Sequence, residues 1–232
     1  MAKYLTAALL LAIGIALSGF FISQGFVLGK AADRTVTVKG LAERVVKADE
    51  GIWRIYFTYA SDELTELYQG VATSQQAIRD FLLKGGFAAT EITDQPVSVN
   101  DNQGNYYSSN ENAKRFSAEG GVTVRTENVD QVNAAVQQTG QLVQQGVLIR
   151  QSDVLFNFTQ LNDIKPDMLN EATANATEAA TTFAQNSQSQ LGQILTANQG
   201  LFTISDATSG ATHGADMMKK VRVVTTVQYY LQ

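Results

Sequence analysis

Hydrophobic residues follow two different patterns along this chain. From Leu5 to Leu28 the sequence LTAALLLAIGIALSGFFISQGFVL runs for 24 residues without a charge. Beyond Lys30 the apolar positions become periodic. Thr35 to Val38 alternates at period two and predicts a strand, which Gly40 is expected to end. Ile52 to Tyr59 predicts a stronger strand, with Trp53, Ile55, Phe57 and Tyr59 on one face. Ser61, Asp62 and Glu63 form a helix start, an N-cap followed by first-turn acids. Leu64, Leu67, Val71, Ile78, Phe81 and Leu82 then recur at helical spacing up to a stop at Gly85-Gly86.

Val97 and Val99 predict a strand leading into a long polar loop that carries Tyr106 and Tyr107. Strand pattern resumes over residues 114–126, and Val129, Val132, Val136 and Leu142 predict a second helix. Val154, Phe156 and Phe158 mark another strand. A third helix is expected to open near Pro166, with Met168, Ala172, Ala176, Ala179, Phe183 and Ala184 on its apolar face. A strand over 194–204, a Gly-, Ser- and Thr-rich loop to His213, and a long alternating strand from Val221 to Leu231 complete the pattern. Strands arrive mostly in hairpins, so the expected class is α+β: antiparallel sheets packed with three amphipathic helices, behind one N-terminal transmembrane helix.

The uncharged run is long enough to cross a hydrocarbon core of roughly 30 Å. A cleaved signal peptide would use Leu5 to Ile15 as its apolar region and Ala16-Leu17-Ser18 before the cut. That cut would leave Phe20, Phe21, Ile22, Phe26, Val27 and Leu28 at a new terminus, so the uncleaved anchor is the preferred reading. Residues 1–30 are then the anchor, touching lipid through 5–28, and residues 31–232 the exported body. Gly14, Ser18, Gly19 and Gly25 are small enough to let such helices pack closely.

Charge sharpens the picture. The whole chain of 232 residues carries a net charge of −5. Residues 1–30 hold only Lys3 and Lys30, so removing their +2 leaves −7 on the body. An acidic body lacks the clustered Lys and Arg that phosphate backbones require, which sets nucleic-acid binding aside. Cysteine is absent, which excludes disulfides, thiol catalysis and Cys-type metal sites.

Candidate chemistry is sparse. His213 is the single histidine, and its flanking Asp206 and Asp216 match no metal-ligand spacing. Asp62, Glu63 and Glu66 sit where a helix dipole favours acids for stability alone. Two glycosylation sequons, at Asn157 and Asn175, fall inside regular elements. No catalytic residue, cofactor site or metal site is expected.

A set of short motifs adds to this reading. Thr35-Val36-Thr37-Val38-Lys39-Gly40-Leu41-Ala42-Glu43 followed by Lys47-Ala48-Asp49 resembles the opening of a SIMPL domain. The run from Phe158 to Met168, then Glu171-Ala172-Thr173, Asn175-Ala176, Phe183-Ala184, Leu191-Gly192, Ala197 to Gly200 and Val221 to Val224, is similar to the membrane-anchored subgroup of that family. The subgroup often has Asn-Ala-Arg where this chain has Asn175-Ala176-Thr177. The resemblance spans about residues 35–231. It implies an α+β domain exported to the bacterial envelope, ring-like self-assembly, and an association with oxidative-stress tolerance, with no catalytic residue or cofactor.

The resulting expectation is a single-pass inner-membrane protein with a periplasmic body that self-assembles as a scaffold or compartment and is not an enzyme. Candidate oligomer contacts are Tyr106, Tyr107, Ala172, Ala176 and Ala179. The alternative is a monomeric periplasmic binding module for a small molecule or partner protein.

Overall fold

The computed structural model describes residues 14, 17–22, 34–103, 114–208 and 214–232. From Arg34 onward the order is β1 (Thr35–Lys47), β2 (Glu50–Ser61), α1 (Leu64–Lys84), a 3-10 turn (Ala89–Glu91), β3 (Ile92–Asp101), β4 (Phe116–Thr126), α2 (Val129–Val136), α3 (Gly140–Gln144), β5 (Leu148–Asn157), α4 (Leu161–Asn186), β6 (Leu191–Gln199), β7 (Thr203–Asp206) and β8 (Met218–Leu231). The class is α+β with antiparallel sheets, as the periodicity predicts. No described helix is long and apolar enough to cross a membrane; most of the expected span lies outside the described residues.

The chain divides into two compact units. One takes residues 34–44, Ile164–Thr203 and Arg222–Gln232, and the other takes Val45–Asp163 and Ile204–Val221.

In the larger unit the sheet order is β3-β4-β2-β5. β2 is central, paired antiparallel to β4 on one side and β5 on the other. Its alternation puts Trp53, Ile55 and Phe57 inward, each essentially without exposure. They meet Val122 and Val124 of β4 and the apolar stripe of α1, whose buried residues include Leu67, Val71, Ile78, Phe81 and Leu82. Trp53 and Phe81 stack edge to face at 6.2 Å. Full burial of such side chains contributes about 1.5–3 kcal/mol each.

Ser61 ends β2 and still serves the start of α1. Its Oγ accepts from the Glu63 N–H at 3.1 Å and donates to Glu66 at 2.6 Å. The second expected helix is two, α2 and α3, because the chain turns at residues 137–139. β5 ends at Asn157, so Phe158 lies just outside the strand expected to contain it.

In the smaller unit β8 lies between β1 and β6, under α4. Gly40 does not break β1. It sits mid-strand at the place where the backbone of α4 comes closest. The buried stripe of α4 is Met168, Ala172, Ala176, Ala180 and Ala184, a strict step of four. Phe183, expected on that face, is 60% exposed. With Val38, Val227 and Tyr229, Ala176 and Ala180 form the core of this unit.

α4 opens five residues before the expected start, and Pro166 is inside it. The reason is remote in sequence. Asp49, in the β1–β2 turn, accepts the backbone N–H groups of Thr159 (2.8 Å) and Gln160 (2.9 Å), just ahead of the helix. A carboxylate at that position does the work of an N-cap.

Candidate functional site

The larger unit holds a cleft of about 370 Å³ where the end of β5, residues 158–159, β7, Gly214 and Lys219 converge. Its chemistry comes from one strand position. β8 buries Lys219, Val221, Val223, Thr225, Val227 and Tyr229 in strict alternation, so Lys219 occupies an inward place otherwise given to apolar side chains. The Lys219 side chain is 5% exposed and that of Asp206 is 11% exposed.

Lys219 Nζ donates to the Asp206 carboxylate and to the Gly214 carbonyl, the latter at 3.3 Å. The other Asp206 oxygen accepts the Gly214 N–H at 2.6 Å. Gly214 is thus the hinge of the site, and its carbonyl also accepts the Phe156 N–H at 2.8 Å. Its φ of +86° suits glycine, and a β-carbon there would stand 2.2 Å from Leu155 Cδ1. The apolar walls are Leu155, Phe156, Phe158 and Ile204. A second cleft of about 590 Å³, lined in part by Arg54, Asn133 and Asp153, shares Leu155 and Phe156.

Asp216 holds backbone on both sides of Gly214 in the sequence. It accepts the N–H groups of Met218 (2.8 Å) and Thr208 (2.9 Å). Those donors, Met218 first, hold its carboxyl below the ordinary carboxylate value of 3.8. Asp206 and Asp216 therefore hold backbone and an ammonium in place. Among the described residues no group of three or more His, Asp or Glu is arranged to hold a metal.

The other sequence candidates fall as follows. Tyr106, Tyr107, His213 and Gly25 lie outside the described residues. Ala172 and Ala176 have no exposure and Ala179 is half-buried. The close packing expected of Ala172 and Ala176 is therefore spent on the chain's own fold, not on a surface open to a second copy. Gly14, Ser18 and Gly19 are exposed, with nothing within 4 Å of a β-carbon at Gly14 or Gly19.

Asp62 pairs with Lys114 at 2.6 Å and accepts the Arg115 N–H. The Lys114 bond first, and that N–H second, lower the Asp62 pKa from its ordinary value. Both sequon asparagines are engaged, Asn157 with Glu50 and Asn175 with the Leu41 carbonyl. Lys219 is the residue that sequence reading missed. A lysine in the inward phase of an apolar alternating strand was the available signal.

The chain belongs to the SIMPL family: the model of that family, described as "Protein of unknown function (DUF541)", matches residues 36–229. No curated protein matches the chain.

Proposed function

We propose that this SIMPL-family chain belongs to the membrane-anchored subgroup. It is a single-pass protein of the bacterial inner membrane whose periplasmic body self-assembles as a scaffold or compartment and does not catalyse a reaction. The observation that carries the reading is the 24-residue uncharged run joined to a folded body. Supporting it, Leu17, Phe20, Phe21 and Ile22 are helical and each more than half exposed, an arrangement suited to lipid. Gly14, Ser18, Gly19 and Gly25 suit close helix packing there.

Self-assembly is supported by the smaller unit. β6 forms one edge of its sheet and is exposed along most of its length. Ile194 and Leu195 stand out on it, followed by Leu201 at 88% exposure. Exposed apolar groups on a strand edge are the usual material of association. Any link to oxidative or envelope stress is then indirect, through the assembly. A binding module is the second reading, favoured by the Lys219 cleft.

The absence of native cysteine gives a clean test of anchor and topology. Ser98→Cys should react with a membrane-impermeant maleimide once the outer membrane is opened. Ala2→Cys should react only after the inner membrane is broken, and alkaline carbonate should leave the protein in the membrane pellet. Release by carbonate, or labelling of position 2 from the periplasmic side, would overturn the anchor.

A further inference from the structure

An ammonium carries three N–H donors. Among the described residues Lys219 Nζ meets two acceptors, the Asp206 carboxylate and the Gly214 carbonyl, while its side chain is 5% exposed. Buried donors are rarely left unmatched, and the open space beside this one is the cleft. Stability does not explain the pair, since a buried ion pair is often no better than apolar residues of the same volume.

Charge then selects the ligand. Among the described residues, Lys219 and Asp206 are the charged ones that line the cleft, and they pair with each other. An anion would enter an apolar space where no second cation stands among the described residues, and a cation would face the ammonium. A neutral molecule with one strong acceptor meets neither cost. The walls from Leu155, Phe156, Phe158 and Ile204 suit an apolar body, and about 370 Å³ falls at the lower end for small-molecule sites.

We propose that this cleft binds a neutral small molecule whose carbonyl oxygen accepts from Lys219 Nζ and whose apolar body packs against Leu155, Phe156 and Ile204. The site goes beyond the scaffold reading and stands whether or not the chain assembles.

The test uses the full-length protein in lipid nanodiscs, with methyl-labelled Leu and Ile observed by NMR. N-acetylpiperidine is the neutral carbonyl probe and cyclohexanecarboxylate its anionic counterpart. The neutral probe should shift the Leu155 and Ile204 methyls saturably while leaving Leu201, exposed in the other unit, unmoved. The carboxylate should bind at least about tenfold more weakly.

Two variants sharpen the test. Ser205→Trp, which fills the cleft, should abolish the shifts with the melting temperature preserved. The paired change Lys219→Met with Asp206→Asn should weaken binding about tenfold. Should that pair fail to fold, Ser205→Trp alone decides. The proposal is overturned by no saturable shift up to the solubility of the neutral probe, by equal binding of the carboxylate, or by undiminished binding in Ser205→Trp.

Discussion

Gly40 and Ala172 meet backbone to backbone: a β-carbon on Gly40 would stand 1.8 Å from the Ala172 carbonyl oxygen and 2.5 Å from the Ala176 nitrogen. The alanine stripe of α4 brings the helix this near to β1, and only glycine on the strand leaves room for it.

Overpacking either side should therefore be costly. Gly40→Ala and Ala176→Leu should each lower stability by about 1–3 kcal/mol or more. Ala179→Leu, at a half-buried site, should cost less. Denaturant midpoints of the three variants check the order, and Ala179→Leu emerging as the most damaging would contradict this packing.

Lys219 and Asp206 should behave as a unit. Lys219→Met alone leaves a carboxylate that is mostly out of solvent and should cost about 3–5 kcal/mol. Adding Asp206→Asn should recover part of that loss, a coupling that a double-mutant cycle reads directly. Strictly additive losses would show that the two side chains do not depend on each other.

Asp216 gives the fold a dependence on acid. Its carboxyl is held below 3.8 in the folded chain, so the ionised form is stabilised by folding. That contribution is complete above 3.8 and fades as pH falls through the lower folded value. Asp216→Asn should melt below the unaltered protein at neutral pH, and the gap should close in strong acid. Melting curves across the acid range check this, and a gap that widens in acid would reverse the assignment.

Much of this architecture was legible as periodicity. Trp53, Ile55, Phe57 and Tyr59 announce β2 because a half-buried central strand must alternate, and Leu67 through Leu82 announce α1 for the corresponding helical reason. Signals that depend on distant residues were not legible. Gly40 looks like a strand break until α4 is laid against it, and Pro166 looks like a helix start until Asp49 is seen holding the backbone at 159–160. Asp206 and Asp216 draw attention in the sequence through His213, which lies outside the described residues; the structure joins Asp206 to Lys219, whose meaning lies in the phase of β8.

The Asp49 contact explains why Lys47-Ala48-Asp49 reads as a motif. Its carboxylate satisfies two N–H groups ahead of α4, so Asp49→Ala should cost about 1–2 kcal/mol. Hydrogen exchange at Thr159 and Gln160 should accelerate more than at Leu67 of α1. Uniform acceleration across the chain would point to global destabilisation instead.

The most direct measurement is the particle mass of the full-length protein, gently extracted in detergent and read by light scattering and electron microscopy. A uniform homo-oligomer is expected, and the pair Ile194→Lys with Leu195→Lys should reduce its size while leaving the body folded. A single 25.1-kDa chain, after correction for detergent, would contradict self-assembly outright.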